Sequence, residues 1–121
     1  MPTNREVKDM TPALEALFGN RTAAWTLLFL QSYGEAYATR VADTFEIRVN
    51  LVQSQLRRLE ESGLLVSREV GRTRLFTWNP RSLTAKKLRN FLEAELKQLP
   101  KDVTQKYFRQ RQRPRRPGKP R

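Results

Sequence analysis

Between Arg48 and Phe76 the chain reads RVNLVQSQLRRLEESGLLVSREVGRTRLF, and no other stretch limits its fold as strongly. Val52, Leu56 and Leu59 recur at the i, i+4, i+7 spacing of one helical face, which predicts a helix over 49–62 with a buried stripe. Asn50, Ser54 and Arg57 then point the opposite way, with Gln53 and Arg58 on the flanks. Amides, a small hydroxyl and guanidiniums are the groups that hydrogen-bond to base edges and phosphates. An ordinary solvated helix face also carries Arg and Gln, so the helix alone does not decide.

The residues after the helix are more telling. Gly63 is placed to close it in a left-handed conformation, and Leu64 with Leu65 supplies the apolar contact that accompanies such a stop. Leu65 to Val70 and Arg74 to Trp78 are rich in β-branched, aromatic and leucine residues, and Val70-Gly71-Arg72-Thr73 between them reads as a hairpin turn whose tip is crowded by Arg68, Arg72 and Arg74. A helix with such an outer face followed directly by a basic hairpin is the element order of a winged helix-turn-helix. The expected fold class is therefore mainly α with a small β-hairpin wing. In that architecture the helix enters the major groove and the hairpin reaches backbone or minor groove beside it.

Charge agrees with a polyanionic partner. The 121 residues hold 24 Lys plus Arg against 12 Asp plus Glu. Of the net +12, residues 101–121 carry nine basic and one acidic side chain, so +8 sits there and +4 in the first hundred residues. Nucleic acid is the natural partner for that balance. The absence of Cys and His removes disulfides, thiolate chemistry, imidazole bases and nearly every zinc site, so no metal and no cofactor is expected. The longest apolar run, Ala23 to Leu30, is far too short to span a bilayer, and the polar N-terminus lacks a signal-peptide pattern. No membrane association and a cytoplasmic location are expected.

In chain order, residues 1–10 read as a flexible N-terminus and 11–100 as the folded domain. Thr11-Pro12 is an expected helix start, with Leu14, Leu17 and Phe18 on its apolar face. Asn20 is placed to cap a core helix over 21–33 carrying Trp25, Leu28 and Phe29, which Gly34 ends. Glu35-Ala36-Tyr37 reads as a crossing to a short helix over 39–45 with Val41, Ala42 and Phe45 inward. This would be the first helix of the helix-turn-helix, with Ala42 small enough for a close crossing. After Asn79-Pro80, Ser82 or Thr84 can cap a last helix reaching Leu99. Its stripe of Leu88, Phe91, Leu92, Leu96 and Leu99 is long for a helix trailing a small domain. Burial against a symmetry mate explains it better than folding back on its own core, so these residues are the expected dimer interface. Residues 101–121, ending RQRQRPRRPGKPR, read as a basic disordered tail whose start Tyr107 and Phe108 could pin.

Three stretches carry a family resemblance: Leu17-Phe18-Gly19-Asn20-Arg21-Thr22 before the apolar Ala23 to Leu30, Val52 to Leu59 with Glu60-Glu61-Ser62-Gly63-Leu64-Leu65, and Gly71 to Phe76 ending in Asn79-Pro80. The chain resembles the winged-helix regulators of the arsenical-resistance repressor (ArsR) type over roughly residues 12–99. The resemblance implies a homodimeric bacterial or archaeal transcription regulator, usually a repressor, paired through its terminal helices. It puts base-reading positions on Val49, Asn50, Gln53, Ser54 and Arg57 and wing contacts on Arg72 and Arg74. Two departures matter: Ala38 to Asp43 holds none of the cysteines of the metal-sensing members, and the arginine-rich tail is not a family feature.

The leading expectation is a sequence-specific, dimeric regulator that binds double-stranded DNA without catalytic activity. Its DNA-binding residues would be Arg48, Val49, Asn50, Gln53, Ser54, Arg57, Arg58, Arg68, Arg72 and Arg74. The alternative is a nucleic-acid-binding structural module, for RNA or DNA, acting mainly through charge. An adaptor would be marked by an apolar outer helix face, which only Leu51 suggests. An enzyme is disfavoured, since the acids are scattered and no nucleophile–base pair is visible.

Overall fold

The structure, a computed structural model, describes residues 11–108. The expectations of a flexible stretch over 1–10 and of a disordered one over 109–121 lie outside the described residues. The order of elements is α1 Pro12–Phe18, α2 Arg21–Tyr33, β1 Glu35–Tyr37, α3 Ala38–Phe45, α4 Val49–Glu61, β2 Leu65–Val70, β3 Thr73–Trp78 and α5 Leu83–Gln98. A short helical turn, α6 Lys101–Val103, then runs into a π-helical turn over Thr104–Phe108. This is a winged helix-turn-helix.

α2 is the axis of the core. Ala23 to Leu30 are all buried, Thr26 included, because α1, α3, α4, α5, β1 and the C-terminal turn all pack around it. A helix apolar on every side is stable only in such a position. Its start is capped as expected, with Ala23 N–H donating to Asn20 Oδ1 at 2.7 Å. Thr11 behaves differently: its side chain caps nothing. The Thr11 hydroxyl accepts from Trp25 Nε1 at 3.3 Å and lies 3.1 Å from Glu15 Oε2, to which it donates.

The helix-turn-helix is α3 and α4. Val41, Ala42 and Phe45 face inward from α3, and Val52, Leu56 and Leu59 from α4. Glu46 makes the turn with φ of 59°, and Ile47 N–H returns to the Ala42 carbonyl at 3.0 Å. α4 stops at a Schellman motif: Leu64 N–H reaches the Leu59 carbonyl at 3.1 Å and Gly63 N–H the Glu60 carbonyl at 3.0 Å, with Gly63 at φ 89°.

The wing is not a lone hairpin. Glu35–Tyr37, expected as a crossing, forms a strand antiparallel to β3, with Ala36 opposite Phe76, so the sheet has three strands in the order β1-β3-β2. Buried Ala36 and Phe76 on that shared edge give the short strand its reason to pair. β2 and β3 pair from Leu65↔Trp78 to Val70↔Thr73, leaving Gly71-Arg72 as a two-residue loop. Gly71 has φ of 63° and Arg72 has no positive φ, the type II′ pattern that matches strand twist. At the base, Asn79 closes the excursion: its N–H donates to the Leu64 carbonyl at 3.0 Å and its Nδ2 to the Gly63 carbonyl at 2.8 Å. Next to it, Trp78 Nε1 donates to the Leu30 carbonyl at 3.2 Å, pinning the wing to α2.

Two expectations at the C-terminus are corrected. The first is the dimer stripe on α5. Ser82 caps this helix through Ala85 N–H at 3.0 Å. Leu92 and Leu96 are then 0% and 4% exposed inside the chain's own core, and Leu88 and Leu99 pack partly against it. Phe91 alone of the five is exposed, at 38%. α5 is held to α2 by polar links: Arg89 Nε donates to Gln31 Oε1 at 3.0 Å and Gln31 Nε2 to Glu93 Oε1 at 3.1 Å. Arg89 also lies over the Trp78 ring at 5.6 Å. The stripe thus folds back on its own domain.

The second is the domain boundary at 100. Pro100 ends α5 but starts α6, since a helix start tolerates proline. Val103, Tyr107 and Phe108 are buried. Phe45 collects their rings, stacking on Trp25 at 5.1 Å and on Tyr107 at 5.5 Å, with Phe108 at 5.6 Å. Residues 101–108 therefore belong to the folded body.

Candidate nucleic-acid interface

The outer face of α4 is set by what its inner face is bound to do. With Val52, Leu56 and Leu59 locked in the core, Arg48, Val49, Asn50, Gln53, Ser54, Arg57 and Arg58 are all exposed. Leu51 is exposed with them, the one large apolar residue within that polar surface besides Val49. Arg58 Nη2 donates to Gln55 Oε1 at 2.7 Å and so spends part of its guanidinium on its own helix. Among the described residues, Asn50, Gln53, Ser54 and Arg57 have no side-chain hydrogen bond or ion pair. Their donors and acceptors face solvent.

Beside this helix the wing forms the second wall of a cleft of about 590 Å³. Gln53 and Arg57 line it from α4, and Arg72 and Arg74 from the wing, with Tyr37 and Thr39 at the β1–α3 junction. The strand register sorts the wing arginines. Residues opposite one another share a face and the faces alternate along a strand, so Glu69, Arg74 and Phe76 line the cleft from the face that Ser67 shares, while Arg68, opposite Leu75, lies on the other face. The sequence predicts Arg68, Arg72 and Arg74 together at the tip; the structure brings Arg72 and Arg74 to the cleft and takes Arg68 away from it.

Arg74 is not a loose cation either. Its Nη2 lies 3.5 Å from Glu69 Oε2 and its Nη1 donates to Ser67 Oγ at 3.0 Å. Ser67 in turn donates to Glu60 Oε2 at 2.6 Å. Arg72 has no such partner among the described residues. Neither Ser67 nor Glu69 stands out in the sequence, Glu60 does so only as part of the helix-ending stretch, and nothing but a seven-residue separation links the hydrogen-bonded pairs. Among the described residues no three His, Cys, Asp or Glu side chains are grouped to hold a metal, and no helix is long and apolar enough to cross a membrane.

No model of a known protein family matches the sequence, and a comparison with curated proteins finds no match. Solved structures do resemble it in fold. Reduced HlyU from Vibrio cholerae aligns with a TM-score of 0.54 at 18% identity, over 74% of this chain and 92% of that one. Reduced AbfR bound to DNA aligns with a TM-score of 0.54 at 20% identity, over 83% of this chain and 73% of that one. A MarR-family transcriptional regulator from a Rhodococcus species aligns with a TM-score of 0.53 at 19% identity, over 79% and 74%. At these identities the shared property is the winged-helix fold.

Proposed function

We propose that this chain is a sequence-specific DNA-binding transcription regulator, a homodimeric repressor of the ArsR-like kind, without catalytic activity and working in the cytoplasm. The observation that carries the reading is the outer face of α4. Its amides, hydroxyl and guanidinium have no partners within the described residues, on a helix whose other face is fixed in the core. Such groups are the side chains of direct base readout, and α4 enters the major groove with them. The wing contacts backbone or minor groove through Arg72. The N-terminus of α4 has no side-chain cap, so its first amides add a positive dipole end to Arg48. That two of the similar folds are a DNA-bound protein and a transcriptional regulator supports the assignment.

The dimer uses the part of α5 that the core leaves accessible, with Phe91 at its centre and Leu88 and Leu99 at its margin. Selection of bound sequences from a random DNA pool tests the proposal. An enriched inverted repeat is the expected result and reports both specificity and two-fold symmetry. A pool without enrichment replaces it by a nucleic-acid-binding structural module acting through charge.

A further inference from the structure

We propose that Glu60, Ser67 and Arg74 form a positioning relay that fixes the wing, and with it Arg72, at a set angle to α4, governing DNA affinity without touching DNA. The inference rests on the DNA-binding reading above. Ser67 uses both capacities of one hydroxyl: its proton goes to Glu60 Oε2 at 2.6 Å and its lone pair accepts Arg74 Nη1 at 3.0 Å. The first bond has the short length of a charge-assisted O–H···O⁻ contact. Each link joins a different element, from the last turn of α4 to β2 and on to β3, and the Arg74–Glu69 pair at 3.5 Å returns to β2.

The position of the relay along the wing gives it leverage. The other ties between wing and body are Asn79 with Gly63 and Leu64 and Trp78 with Leu30 at the base, and the β1 ladder along β3, which ends at Tyr37↔Leu75. β1 holds only the β3 edge, and among the described residues no other side-chain hydrogen bond joins the hairpin above its base to α4. Ser67, opposite Phe76, stands two pairs above the Leu65–Trp78 base, and Arg74, opposite Glu69, two pairs higher still. The relay therefore sets the tilt of the cleft wall and the reach of the loop that carries Arg72. Glu60 and Glu69 also place two carboxylates on the cleft lining, which directs phosphates to Arg72 and Arg57 and away from the relay.

A double-mutant cycle in the full chain tests this. The probes are a duplex bearing the enriched repeat and a random-sequence duplex of equal length. Ser67→Ala should weaken both by about fivefold, the worth of one net hydrogen bond, and should cost nothing further once Arg72 is Ala. Glu60→Gln, which keeps an acceptor, should retain most of the affinity. Arg74→Lys, which keeps the charge but not the fork, should fall with Ser67→Ala. An undiminished loss in the Arg72→Ala background, no loss for Ser67→Ala, or wild-type binding by Arg74→Lys would each overturn the relay. Amide exchange at 70–73 in the DNA-free protein separates it from the underlying reading. Faster exchange in Ser67→Ala supports the relay even if no DNA is bound, and unchanged exchange rejects it; failure of the wild type to bind either duplex rejects the DNA-binding reading instead.

Discussion

The ring of Phe45 lies on that of Tyr107 at 5.5 Å with 17° between their planes, which joins the last residue of the first helix-turn-helix helix to the C-terminal turn. The Tyr33 hydroxyl reinforces the joint by donating to the Tyr107 carbonyl at 3.1 Å. The C-terminal turn is thus part of what holds α3 in place beneath α4.

Removing that joint should cost stability. Phe108→Ala or Tyr107→Ala is expected to destabilise the fold by about 3–5 kcal/mol, the usual loss for a large aromatic truncated in a core, read as a lower denaturant midpoint. Unchanged midpoints for both variants would mean that the segment does not pack on the domain.

Deleting residues 109–121 should behave in the opposite way. These residues carry seven basic and no acidic side chains, and removal leaves every buried aromatic in place. The melting temperature should hold while affinity falls for all DNA alike. The slope of log affinity against log salt should become shallower by about one unit for each phosphate no longer neutralised; a slope that does not move shows that this segment touches no phosphate.

The two halves of the α5 stripe predict different phenotypes. Phe91→Glu, at an exposed position, should yield a folded monomer with weakened operator binding. Leu92→Glu buries a charge in the core and should unfold the chain, because an unpaired buried carboxylate cannot be compensated there. Sedimentation and circular dichroism of each variant check this, and a wild type already monomeric at micromolar concentration removes the dimer from the proposal.

On the reading helix, Arg57→Ala and Gln53→Ala should each cost about 1–3 kcal/mol on the enriched site and little on random DNA. Arg72→Ala should weaken both more evenly, since a hairpin tip meets backbone. The readout is the ratio of specific to non-specific affinity at one salt concentration. If Arg57→Ala and Gln53→Ala both preserve it in a folded protein, α4 does not read the bases.

Local chemistry was legible in the sequence. The 3.6-residue period of Val52, Leu56 and Leu59, the helix stop at Gly63, the caps at Asn20 and Ser82 and the turn at Gly71 each depend on residues within a few positions, and each appears as expected. Partnerships across the chain were not. An apolar stripe on α5 states that one face is covered but not by what, so its length favours a second subunit although Leu92 and Leu96 pack into the chain's own core. Val103, Tyr107 and Phe108 stand among Lys, Gln and Thr after a proline, and Phe45, the ring on which Tyr107 and Phe108 pack, is far away in sequence. Three residues of β1 carry no period of their own and become a strand only where β3 offers its edge. At the site, the outer face of α4 could be read from periodicity. The sorting of Arg68 from Arg72 and Arg74 needed the strand register, and the Glu60–Ser67–Arg74 relay joins polar residues by geometry alone.

The Asn79 clasp makes the wing begin and end at nearly one point, Gly63 and Leu64 on one side and Asn79 on the other. A segment whose two ends are tied together can be lengthened, shortened or replaced at its tip without moving anything it departs from. Only the tip of the hairpin is adjustable in that sense: how far it reaches along a duplex can be retuned at Gly71-Arg72 while the paired base of the wing, the helix that reads and the core that supports it stay unchanged.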